Sequence, residues 1–199
     1  MTIPERRRYS SPVRAARARQ TRAHVVATAG RLFAERGYAG TSMRQIAAAA
    51  GVSLETVTQA GRKADLLLAA FQEGFAGDPD AVNLDALVGS AAELPVVVGR
   101  VAEGVRRSLP IWRAFTTAAM ADPAVAAVRA KLAVARRAEI VARLEAAGMP
   151  ASGRLADAIG LLTSHEAYDH LTAVCGWPHE DYVTWTAEAI QAQLGLGGS

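Results

Sequence analysis

Seventeen residues constrain this chain more than any others: Thr41-Ser42-Met43-Arg44-Gln45-Ile46-Ala47-Ala48-Ala49-Ala50-Gly51-Val52-Ser53-Leu54-Glu55-Thr56-Val57. They write two short helices and the tight turn between them. Ser42 and Gln45 stand at capping-box spacing, with Thr41 as a second candidate cap, so the first helix starts there. Gly51 lacks Cβ and accepts the left-handed backbone that stops this helix, and Ser53 can cap the next. Ala47, Gly51 and Val57 let the two helices cross closely, while Met43, Ile46 and Ala50 add apolar surface. The pattern predicts a helix-turn-helix at about 42–61.

Charge is divided unevenly along the chain. Residues 1–63 carry 12 Lys or Arg against 3 Asp or Glu, whereas residues 64–199 carry 10 against 16. A basic first third on an acidic remainder points to a polyanion-binding module joined to a body with another task. Phosphate backbone is the obvious polyanion. Arg6, Arg7, Arg8, Arg14, Arg17, Arg19 and Arg22 read either as part of that surface or as a solvated tail.

A chain of 199 residues, 51% hydrophobic, can bury a sizeable core, and its alanine-rich, aromatic-poor makeup favours an all-α fold. Val96-Val97-Val98 is the one β-branched run. The arginine-rich start lacks the apolar stretch of a signal peptide, and no uncharged run approaches ~18 residues, so a soluble cytoplasmic protein with no membrane partner is expected. Cys175 is the single cysteine, which excludes an intrachain disulfide and suggests a small buried hydrophobe.

Helical periodicity places a first helix from Val13 or Ala18 to Arg36, burying Val25 or Val26, Ala29, Leu32 and Phe33. Gly37 ends it and Tyr38 packs back. Asp65–Ala76, with Leu66, Leu67, Phe71 and Phe75, reads as a fourth helix, broken by Gly77-Asp78-Pro79-Asp80. The organisation expected is a basic arm at 1–18, a DNA-binding helix-turn-helix domain at 19–79 and a helical body at 80–199. Pro95, Pro110, Pro123 and Pro178 suit first-turn positions, and Gly148, Gly176 and Gly195 suit helix ends.

The last two predicted helices, Leu155–Val174 and Glu180–Leu194, are apolar on two sides and need two partners. One reading is a four-helix interface with a second copy through Leu155, Ile159, Leu162, Tyr182, Trp185, Ile190 and Leu194. The other is a hairpin buried within a monomer.

Residues Arg22 to about Phe71 resemble the N-terminal domain of TetR/AcrR-family transcriptional regulators. The likeness rests on Leu32-Phe33-Ala34-Glu35-Arg36-Gly37-Tyr38, on Thr41-Ser42-Met43-Arg44-Gln45-Ile46 and on Gly51-Val52-Ser53. The resemblance implies a non-enzymatic regulator without cofactor or metal, commonly a repressor, that binds palindromic double-stranded DNA as a homodimer and is released by a small-molecule effector. The chain departs from the family where Tyr, two residues, Phe, two residues and Lys usually follow the second helix. Here Thr58-Gln59-Ala60-Gly61-Arg62-Lys63 stands, so either the helix has lost a residue or the next loop is tighter.

Leu54, Glu55, Thr58 and Gln59 are the candidates for base contact, since their side chains match base-edge or methyl groups of the major groove. Thr41, Ser42, Arg44, Thr56 and Lys63 are the candidates for phosphate contact. In the body Phe71, Trp112, Phe115, Met120, His165, Tyr168 and His170 could line an effector pocket or simply form core. A rival function, a metal-dependent enzyme, would use His165, Glu166, Asp169 and His170, which pair across adjacent helix faces but do not match the zincin spacing. A third, a regulator with no small-molecule switch, would make the aromatic residues core.

Overall fold

The three-to-four-residue spacing of apolar residues in the first helix and the caps that follow it are realised in a computed structural model. It describes residues 12–75, 93–146, 148–149 and 151–195, all of whose regular elements are helical. The first four are α1 (Pro12–Arg36), α2 (Met43–Ala50), α3 (Leu54–Ala60) and α4 (Lys63–Phe75). α5 (Leu94–Ala121), α6 (Pro123–Ala146), α7 (Gly153–Leu162), α8 (His165–Asp169) and α9 (His179–Leu194) follow, with α8 running into a π-helical turn at His170–Val174. No described helix is long and apolar enough to cross a membrane.

α1 begins at Pro12, so Arg14 and Arg17 stand on a helix; residues 1–11 of the predicted arm, and the break at Gly77–Asp80, lie outside the described residues. α4 starts at Lys63, earlier than Asp65, because the Asp65 carboxylate accepts the Arg62 backbone N–H at 3.0 Å and so caps the helix from its third position. α1 and α4 approach so closely that a Cβ on Gly30 would stand 3.0 Å from that of Ala70.

Val25, Val26, Ala29, Leu32 and Phe33 of α1 are buried against Ile46, Ala47, Ala50, Val57, Leu66 and Leu67. Each large side chain so buried contributes about 1.5–3 kcal/mol. This core does not stop at the head, for Ile111, Ala114, Phe115 and Ala118 of α5 and Val125 of α6 belong to the same cluster. α5 is the spine of the molecule, packing on α1, α4, α6, α8 and α9.

Three expectations change. Pro110 lies inside the 28-residue α5 rather than starting a helix, while Pro95 and Pro123 do sit in first turns. Packing on five other helices holds the spine across the missing N–H. The predicted helix Leu155–Val174 is two, divided at Thr163-Ser164, where the Thr163 hydroxyl bonds back to Ile159 O at 2.7 Å and Ser164 caps α8 by accepting from Ala167 N at 3.0 Å. Cys175 is exposed beyond the π turn rather than buried.

Candidate nucleic-acid interface

The turn between α2 and α3 is built by its caps. Ser42 Oγ accepts from Gln45 N at 3.2 Å while Gln45 Oε1 accepts from Ser42 N at 2.7 Å, completing the box. Gly51 takes φ 65°, and Ser53 Oγ accepts from Thr56 N at 3.1 Å to open α3. Val57 is fully buried, which turns Leu54, Glu55, Thr58 and Gln59 outward as one exposed face. Leu54 is 41% exposed on this face. Gln59 Nε2 reaches Glu55 Oε1 at 3.4 Å, and the Thr58 hydroxyl donates to Leu54 O at 2.9 Å.

The other predicted contacts divide. Ser42 and Arg44 are exposed, and Thr56 is half-buried with its hydroxyl 2.9 Å from that of Ser53. Thr41 is only 1% exposed. Its hydroxyl is shared between Leu32 O and Gly37 O at 3.2 and 2.9 Å, so it ties down the end of α1 and cannot reach a phosphate. Lys63 lies with Nζ 4.1 Å from the centroid of the Tyr38 ring, a cation over an aromatic face. Burial pushes its ammonium pKa down, against the pull of Asp122. Between α3 and α4 only Gly61 and Arg62 remain, so the loop is short and Lys63 is withdrawn toward Tyr38.

Tyr38 also joins head to body. Its hydroxyl donates to Asp122 Oδ2 at 3.1 Å across 84 residues of sequence, and burial, with Asp122 beside it, raises the phenol pKa to about 12. Asp122 at the same time caps α6 by accepting from Ala124 N at 2.9 Å. His24 Nε2 stands 3.2 Å from Ala50 O, a second tether of the reading unit. No sequence periodicity signals either contact.

In the body, Phe71, Trp112, Phe115 and His165 come together. Trp112 and His165 stack with centroids 4.7 Å apart, and Phe71 lies 5.1, 5.7 and 5.4 Å from Trp112, Phe115 and His165. Met120 is 82% exposed and takes no part, because it lies on the outward side of α5. Tyr168 belongs to another cluster, edge-on to Tyr182 at 4.8 Å and bonded through its hydroxyl to His179 Nδ1 at 2.9 Å. His170 is exposed.

Three of the four residues of the metal-site reading are engaged by other partners, and the fourth, His170, is exposed. Glu166 pairs with Arg129 at 3.0 Å, Asp169 with Arg113, and His165 Nε2 with Ser108 Oγ at 2.8 Å. Among the described residues no group of three His, Cys, Asp or Glu side chains could hold a metal ion.

Burial, with Arg136 nearby, lowers the His165 pKa from 6.5 to about 4. The folded state therefore favours the neutral ring, and stability is complete above pH 6.5. Below that the unfolded chain takes up the proton first, so stability falls until pH 4, by about 3 kcal/mol. Thermal melts from pH 7.5 to 4 should show this loss, and His165→Gln should flatten it; an unchanged slope in the variant would mean another group titrates.

Of the predicted interface residues, Tyr182, Ile159 and Ile190 are 1%, 3% and 0% exposed within a single subunit. Leu155, Leu162 and Leu194 are half-buried around the same core. Trp185, 42% exposed beside Trp177, and Leu161, 64% exposed, form the outward apolar surface of α7 and α9.

Residues 25–70, which contain the capped turn, match the family described as bacterial regulatory proteins, tetR family. No curated protein matches the sequence significantly. A transcriptional regulator from Rhodococcus sp. Rha1 shares the fold with TM-score 0.64 at 20% identity, over 89% of this chain and 99% of its own. A TetR-family member from Streptomyces coelicolor A3 gives 0.61 at 23%, over 88% and 98%. The multidrug binding protein EbrR, solved with imidazole, gives 0.64 at 21% over 100% of both chains. Residues 25–70 thus match the tetR-family model of bacterial regulatory proteins, and the chain as a whole shares the helical fold of these solved proteins.

Proposed function

We propose that the chain is a ligand-responsive transcriptional repressor of the cytoplasm that binds a palindromic operator as a homodimer. The observation that carries this reading is the face of α3, on which Leu54, Glu55, Thr58 and Gln59 stand exposed while Val57 is buried behind them. A helix so presented fits a major groove, where glutamine pairs with adenine, glutamate accepts from cytosine N4 and leucine meets a thymine methyl. Exposed Arg44 and Ser42 hold phosphates beside it. A two-fold dimer formed through the outward surface of α7 and α9 would set two such helices about 34–36 Å apart.

The body is the sensor. The aromatic group around Trp112 suits an apolar effector, and EbrR, of like fold, is described as a multidrug binding protein. An effector that favours a body geometry with misplaced heads releases DNA by its differential affinity for the two states. The shared core and the Tyr38–Asp122 bond supply the connection.

Selection from random duplex DNA with the purified chain should return a motif with two inverted half-sites; a motif without symmetry would overturn the dimeric reading. Arg44→Ala should weaken binding to all duplexes alike and lower the salt slope by about one. Gln59→Ala should relax preference at one base pair of each half-site. The reverse pattern would mean that the short 58–63 segment docks differently.

A further inference from the structure

Two side-chain polar atoms of the body are sealed from solvent without a hydrogen bond, Arg136 Nε on α6 and Thr186 Oγ1 on α9. Both belong to the surroundings of Tyr182, whose hydroxyl donates to Leu162 O at 2.7 Å. Burial pushes that phenol up to about 12, with the Thr186 hydroxyl and the Arg136 cation acting against it. Thr186 is close enough to matter electrically but makes no well-aligned bond.

Arg136 spends one amino group on neutral oxygens, Nη2 donating to Thr163 O at 3.1 Å and to Thr163 Oγ1 at 2.7 Å. Among the described residues no carboxylate reaches it at salt-bridge distance. Glu139 is held by Arg143 at 2.9 Å and Glu166 by Arg129 at 3.0 Å. Arg136 is half-buried as a residue, its desolvated guanidinium is attracted by Glu139 and Glu166 only from a distance, and arginine does not relieve the cost of burial by losing its proton. Nε shares an edge of the guanidinium with Nη2, and since Nη2 already donates to Thr163, a carboxylate would take Nε and share Nη2 with that residue. Arg62 uses that edge on Asp65 in this chain, at 3.0 and 3.2 Å.

Water or a small inorganic ion could meet the polar half of this site, but its other half is aromatic. His165, 7% exposed and close enough to Arg136 to feel its charge, stacks on Trp112 and contacts Phe71. A cationic fork at one end and rings at the other match a molecule with one carboxylate and an apolar remainder.

We propose that Arg136 receives the carboxylate of an apolar monocarboxylic acid, whose hydrocarbon part lies against Trp112 and His165 while Thr163 and Thr186 supply further hydrogen bonds. This deepens the sensor reading and rests on it, yet the two fail separately. Acid binding is read without DNA, and operator release is read by gel shift.

The test uses the full chain with benzoate, phenylacetate and hexanoate, each against its amide and against sodium chloride at equal ionic strength. Melting temperature and tryptophan fluorescence are followed. At least one acid should raise the melting temperature saturably, while its amide and chloride do not. Arg136→Met, of similar length without charge, should melt no lower than wild type when unliganded and bind that acid at least about thirtyfold more weakly. Should Arg136→Met fail to fold, Arg136→Lys and the acid-to-amide contrast carry the test, Lys retaining part of the response. Equal responses to acid and amide, a response to chloride alone, an undiminished response in Arg136→Met, or no response to any of the three acids would each overturn the proposal.

Discussion

Ile190→Asp is expected to leave no folded protein, rather than folded monomers. Ile190 is 0% exposed within one subunit, packed among Leu94, Val97, Val98, Ile159 and Ala187. A carboxylate there is buried among apolar side chains, and the expected cost, about 4–5 kcal/mol or more, equals the whole stability of a domain at the lower end of the typical range of about 5–15 kcal/mol. Leu161→Glu is the matched control. Leu161 is 64% exposed, so a charge there spares the subunit's core and weakens only a surface that a second copy would cover. Circular dichroism should report loss of helix for the first variant and none for the second. Sedimentation should then find Leu161→Glu monomeric against a dimeric wild type. A wild-type monomer at micromolar concentration would remove the homodimer from the proposed function, and a folded Ile190→Asp would remove the assignment of Ile190 to the subunit core.

Phe33→Ala is expected to destabilise head and body together in a single transition, by about 3–5 kcal/mol. Phe33 lies in the head, but its cluster continues through Phe115 and Ala118 of α5 to Val125 of α6. Head and body therefore share buried surface, and a cavity in one is felt by the other. Trp112, packed on the edge of the same cluster, reports the body, while overall helicity reports both. The two melting curves should coincide and move down together. Separate transitions, with only part of the helix lost early, would mean that the head melts independently despite the continuous packing.

That shared core explains why the predicted organisation into a head and a body was only partly legible. Composition changes along the chain and an apolar helix stripe reveal that a face is buried, but not what buries it. The stripe of α1 reads clearly from Val25 to Phe33, whereas nothing in those residues distinguishes α4 from α5 as the covering partner. The same ambiguity affected the last helices. Their two apolar sides are real, yet α5 covers much of what could have been assigned to a second copy, leaving Leu161 and Trp185 outward.

Sequence alone determined what depends on neighbours within one helical turn. Ser42 with Gln45, Gly51 and Ser53 bond or bend within a few positions of themselves, so their residue types suffice to place the turn and to aim α3. Tertiary structure decided what depends on groups far apart in the chain. Thr41 is read as a surface hydroxyl until the end of α1 closes over it, and Tyr38 meets Asp122 only because the α5–α6 corner lies against the head. Arg136 is one arginine among several on an alanine-rich helix, and only the packing of α6 against the Thr163 joint seals its Nε from water. Burial of a charge is a property of everything that surrounds it, and a helix's own sequence supplies only one side of those surroundings.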